Sequence, residues 1–178
     1  WDKPSSNVVT ITGVDDFFAD GNQELTLITG DPTSLDSFYD GIGADDVSNP
    51  ILTNEDDDIP QIITDLSNHV SEDRTNSVLS IRLSSEIKSD VFLNLNVVDE
   101  TELMINLSEL TFTKDNWNVN QEIIVTGKDD LEVDGDISSA IRILIDDIKS
   151  DSSYILLPPT LVFVINKDND DFDGDGIS

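Results

Sequence analysis

Apolar and polar residues alternate with a period of two along much of the chain. In "VLSIRLSS" (78–85) Leu79, Ile81 and Leu83 share one face, and in "VFLNLNVV" (91–98) Val91, Leu93, Leu95 and Val97 do. "LMINL" (103–107), "EIIVTG" (122–127), "AIRILI" (140–145) and "TLVFVI" (160–165) continue the pattern, and "PQIIT" (60–64) supplies a first strand. Successive side chains of a strand point to opposite faces, so alternation of this kind predicts strands with one buried face. Three further strands are expected near 8–12, 24–29 and 47–53. No stretch carries the 3.6-residue period of an amphipathic helix. Leu110 and Phe112, followed by "KDNW", predict a turn that drops Trp117 against the core, and both tryptophans, Trp1 and Trp117, are read as structural. Short alternating runs separated by turn residues predict an all-β chain folded as an antiparallel β-sandwich.

The pattern repeats. "NVVTITGVDDFFADG" (7–21) aligns with "QEIIVTGKDDLEVDG" (121–135). Thr12-Gly13, Asp15-Asp16 and Asp20-Gly21 match Thr126-Gly127, Asp129-Asp130 and Asp134-Gly135 at a constant offset of 114 positions. Further on, "DSFY" (36–39) resembles "DSSY" (151–154), and "TNEDDD" (53–58) resembles "INKDND" (165–170). Such self-similarity predicts two copies of one module of about 110 residues. Residues 1–58 are expected to be the C-terminal half of one module, 59–168 a complete one, and 169–178 the start of a different element. Half a sandwich exposes an apolar face and open strand edges, so the first copy is expected to need strands from elsewhere, upstream in the chain or from another chain.

Charge adds a constraint. Thirty-eight Asp and Glu face nine Lys and Arg in 178 residues, for a net charge of −29. That balance disfavours nucleic acid and anionic membrane surfaces as partners. No apolar run is long enough to insert in a membrane as a helix. Cysteine is absent, which excludes disulfides and thiolate metal sites. His69 is the single histidine and sits in a predicted loop, no G-x-S-x-G elbow occurs, and no glycine-rich phosphate loop is present. Carboxylate pairs carry no weight as a glycosidase signal in a chain this acidic. A non-catalytic protein is expected.

The acids gather at strand ends rather than spreading evenly. Calcium takes six to eight oxygens at roughly 2.3–2.6 Å in flexible geometry, so carboxylates from separate loops can converge on it. In an antiparallel sandwich alternate loops lie at the same end, which lets the Asp129-Asp130 pair face the 168–170 stretch. Hard oxygen ligands disfavour zinc and copper, and magnesium, which demands tighter octahedral geometry, ranks second. The competing reading is that these aspartates form Asx turns and cap loops. Asp20-Gly21 and Asp134-Gly135 read as plain turns. The tail places Asp171, Asp173, Asp175 and Gly176 as D-x-D-x-D-G, matching positions 1, 3, 5 and 6 of an EF-hand-type calcium loop.

With these residues in place, "ELTFTKDNWNVNQEIIVTGKDDLEVDGD" (109–136) resembles the Calx-beta repeats of large bacterial surface proteins, and "SED" (71–73) resembles the glutamate region near their start. The resemblance covers 59–168 in full and 1–58 in part. "DFDGDGIS" (171–178) resembles the opening of a thrombospondin type 3 calcium repeat. The resemblance implies a seven-stranded, immunoglobulin-like sandwich that holds calcium at one end. By position it implies ligands at Glu72, Asp99, Asp129, Asp130, Asp168 and Asp170, with Asn169 interrupting the exit run. In the first copy Asp15, Asp16, Asp56, Asp57 and Asp58 are the equivalents.

The expected function is that of a calcium-stabilised spacer in a repetitive, extracellular or cell-surface bacterial adhesin, with neighbouring repeats of the same chain as its partners. Three alternatives stand beside it. One is an adhesion module that binds a glycan or protein, for which exposed Phe17, Phe18, Phe38 and Tyr39 would speak. Another is an accessory module of a secreted enzyme. The third is a secretion-system substrate with secretion-machinery proteins as partners.

Overall fold

The computed structural model describes residues 8–170. The chain divides into two compact units, Trp1–Asp57 and Asp58–Ser178. In the first, β1 (Gln23–Thr26) pairs antiparallel with β2 (Ile51–Asn54). One helical turn, α1 (Ser37–Asp40), lies between them and is capped by the Asp36 carboxylate, which accepts from Phe38 N. A 3₁₀ turn follows at Ala44–Asp46. These turns are too short to carry an amphipathic period. The strand expected near 8–12 is absent, because no neighbouring strand among the described residues pairs with it.

The second unit is an all-β sandwich. One sheet orders β4 (Val70–Ser71), β11 (Thr160–Lys167), β10 (Ile137–Ile145), β6 (Val91–Val97) and β8 (Glu109–Phe112). The other orders β3 (Ile62–Leu66), β5 (Asn76–Leu83), β9 (Gln121–Gly127) and β7 (Leu103–Ile105). Alternation places Leu79, Ile81 and Leu83 of β5, Val91, Leu93 and Leu95 of β6, and Ile123 and Val125 of β9 in one core. Fully burying such a side chain is worth about 2 kcal/mol, so this interior outweighs any single turn or cap.

Two segments change sheet midway. Asn106 N donates to Ile124 O of β9, while Leu95 N of β6 donates to Ser108 O, so the chain crosses between layers at Leu107. Likewise β3 belongs to one sheet and β4 to the other, with a corner held by Ser77 Oγ on Asn68 O at 2.7 Å. Seven strand segments therefore appear as nine strands among the described residues of the second unit. The β4–β11 pair is parallel, the one departure from the expected antiparallel pattern among the described strand pairs, because the chain reaches β4 after crossing layers. Trp117 packs against the core as expected, and its carbonyl accepts from Leu83 N at 2.8 Å. Leu110 and Phe112 lie on strand β8, paired with β6, and the expected turn follows at Lys114–Trp117. Trp1 lies outside the described residues.

Candidate cation site at the strand ends

Three strands of the second unit run out at the same end, and acids follow each. Glu72 comes directly after β4, Asp129 and Asp130 after β9, and Asp168 and Asp170 after β11. Glu72 N donates to Lys167 O at 3.0 Å, which ties the exit of β4 to that of β11. Arg74 closes the β4–β5 turn at φ 66, a left-handed conformation costing roughly 1 kcal/mol in a non-glycine residue.

Glu72, Asp168 and Asp170 each offer a carboxylate oxygen within 4.8 Å of the others. Two oxygens on one calcium ion are at most about 5 Å apart, so this spacing fits a shared divalent cation. The carboxylates are held by backbone donors. Asp168 accepts from Gly135 N at 2.8 Å and, through its other oxygen, from Asp170 N at 2.7 Å. Glu72 accepts from Asn169 N at 3.3 Å. Asp170 Oδ2 is buried without a hydrogen-bond partner among the described residues. A buried polar atom without a partner costs about 1–3 kcal/mol, and a carboxylate more, unless something positive reaches it.

Electrostatics point the same way. Burial first, and then the charges of Asp168, Asp130 and Asp170, push the Glu72 carboxyl above the ordinary glutamate range, against a lowering by Asn169 N–H. Burial, followed by Asp168, Asp129, Asp130 and Asp134, raises Asp170 as well. Both shifts express burial of a carboxylate first and the assembly of like charges at one end second. Arg74 approaches Asp129 at 3.9 Å with its side chain mostly exposed, a weak counterweight.

The other expected ligands divide. Asp130 sits beside the cluster, its Oδ1 accepting from Glu132 N at 2.8 Å. Asp99 stands outside the three-carboxylate group; Thr101 Oγ1 and N both donate to it and hold its carboxyl below the ordinary range. In the first unit Asp15 and Asp57 bring carboxylate oxygens within 4.8 Å of each other. Asp16 accepts from Phe18 N at 2.9 Å, and Asp56 from Gly21 N. Asp58 is the first residue of the second unit. Asp171, Asp173 and Asp175 lie outside the described residues. Asp16, Asp99, Asp130 and Asp168 all accept the N–H two residues on, so the Asx-turn reading holds for each, and their remaining lone pairs stay available.

Four contributors escaped the sequence reading. Asp134, read as turn only, adds its charge to Asp170, and its neighbour Gly135, at φ 76, donates to Asp168. Glu102 and Asn166 are buried together, Asn166 Nδ2 donating to Glu102 Oε2 at 3.1 Å. Asn54 and Asn166 share a position in the repeat, the one signal that could have exposed the pair. Comparison with protein-family models and with curated proteins finds no match.

Proposed function

We propose that this chain is a non-catalytic, Calx-beta-like structural module whose acidic end holds calcium, serving as an extracellular spacer in a repetitive surface protein. The observation that carries the reading is the convergence of Glu72, Asp168 and Asp170, with a buried Asp170 oxygen that no described group satisfies. When bound, the cation supplies the positive charge that these carboxylates lack. Glu72, Asp168 and Asp170 would hold it, and the N–H groups of Asn169, Gly135 and Asp170 keep those carboxylates aimed inward. Neutralising the cluster removes repulsion at the strand ends, and the exit of the module stiffens.

The test is thermal melting of the 178-residue chain in EGTA, in CaCl2 and in MgCl2 at constant ionic strength. Calcium at one hundred times its Kd adds about 2.7 kcal/mol to the folded state, so the melting temperature should rise by several degrees. Asp168→Asn with Asp170→Asn should abolish that rise. An identical melting temperature in all three solutions sinks the reading.

A second reading, an adhesion module, draws on the exposed Phe38 and Tyr39 of the first unit. Phe38→Ala and Tyr39→Ala would then weaken retention on host or neighbouring-cell surfaces, and calcium-dependent melting would stay unchanged.

A further inference from the structure

The three acidic exits meet at one glycine. A Cβ on Gly127 would fall inside van der Waals contact of both the Asn166 carboxamide oxygen and the Ser71 carbonyl, so only hydrogen lets the Ser71 backbone and the Asn166 side chain approach this closely. Each of these residues stands one or two positions before acids: Ser71 precedes Glu72, Gly127 stands two before Asp129, and Asn166 stands two before Asp168. Asn166 is only 1% exposed. Its Nδ2 donates to Lys128 O at 3.0 Å and to Glu102 Oε2 at 3.1 Å, while Lys128 N donates to Glu102 O at 2.8 Å. The residue after Gly127 is thus gripped at both its carbonyl and its N–H.

The first unit repeats the core of this arrangement. Asn54 occupies the place where a Cβ on Gly13 would fall, and its Nδ2 donates to Val14 O at 3.1 Å. Strand pairing alone does not require an asparagine reaching across to the residue after a glycine. Its recurrence beside both acidic loops marks a device.

We propose that Gly127 and Asn166 are positioning residues: a clasp that sets the separation of the Glu72, Asp129-Asp130 and Asp168–Asp170 segments and so sets cation affinity. This rests on the calcium reading above for its affinity arm. Gly127→Ala wedges the exit of β9 away from those of β4 and β11. Asn166→Ala frees Lys128 O and removes the tie to Glu102.

The experiment has two arms on the full chain. Calorimetric titration of EGTA-stripped protein with CaCl2 should show affinity at least tenfold weaker in both variants. Amide hydrogen exchange without metal should be faster at Glu72, Lys128 and Asn169, whose N–H groups hold the exits of β4, β9 and β11, and unchanged at Leu83 and Leu95 of the core. Uniform acceleration at all amides, or no local change in either variant, overturns the proposal. If Gly127→Ala does not fold, Asn166→Ala decides. Wild-type protein that binds no calcium would overturn the proposed function alone, and the exchange arm would still decide the clasp.

Discussion

The hairpin β1–β2 and the hairpin β10–β11 are copies in different surroundings. Their registers coincide: Gln23 faces Asn54 as Ile137 faces Asn166, and Thr26 faces Ile51 as Ala140 faces Phe163. Their polar details coincide too. Gly21 N donates to Asp56 as Gly135 N donates to Asp168, Phe18 N to Asp16 as Glu132 N to Asp130, and Phe38 N to Asp36 as Ser153 N to Asp151. Burial separates them. Val9, Ile11 and Tyr39 are 76%, 46% and 56% exposed, whereas their counterparts Ile123, Val125 and Tyr154 are at 0%. In the second unit Tyr154 OH reaches the Ser85 backbone at 3.0 Å, and Asp151 Oδ2 takes Lys88 N and Ser89 N at 2.7 Å. Local sequence thus reproduces turns and register, and a facing sheet turns the same residues into core.

That contrast is open to direct attack. The largest expected effect comes from truncating a core position against its exposed copy. Ile123→Ala should cost about 3 kcal/mol in urea unfolding of the second unit, and Val9→Ala about 0.5 or less. Equal costs would mean that the first unit's face is covered in solution. A smaller step is Asp151→Ala, which takes the buried acceptor from three part-buried backbone N–H groups and should cost roughly 2 kcal/mol, while Asp36→Ala removes an exposed cap worth about 1 kcal/mol. Matching losses would show that Asp151 acts only as a turn residue.

The smallest effect follows from protonation. Burial would raise Asp151, but hydrogen bonds from Ser153, Ser89 and Lys88 outweigh it and hold the carboxyl below its usual range. Its contribution is therefore present above the ordinary aspartate value and lost as pH falls through the lowered one. Glu72 is shifted the other way, so its contribution is complete below the ordinary glutamate value and lost as pH rises through the raised one. Metal-free protein should melt highest between these two windows, and Glu72→Gln should raise its melting temperature slightly at neutral pH. Glu72 has no counterpart in the 1–58 copy, so this variant separates the complete acidic end from the partial one. A melting temperature lowered by Glu72→Gln in EGTA would remove the repulsion assigned to this end.

Much of the second unit could be read in advance because alternation is a backbone property. Strands β5, β6, β9 and β11 fall within a few residues of their predicted bounds, since one buried face per strand leaves a period-two record. The repeat offset anticipated the matched registers. The segment 8–12 shows the limit. Its alternation equals that of β9, yet β9 is a strand because β5 and β7 flank it, and 8–12 has no such neighbours among the described residues. Candidate ligands were readable as acids at strand ends, but Asp99 and Asp168 look alike in sequence. Thr101 engages the first locally, while the crossing of β4 brings Glu72 to the second.

Composition and periodicity alone determined an all-β chain, a duplicated hairpin and a strongly negative surface, because each is set by residues near one another in the chain. Which acids converge, which apolar faces are buried and why a glycine stands at 127 were decided only by tertiary structure. Those properties depend on strands distant in sequence meeting within a few ångströms, where sterics and Coulomb repulsion act through space rather than along the chain.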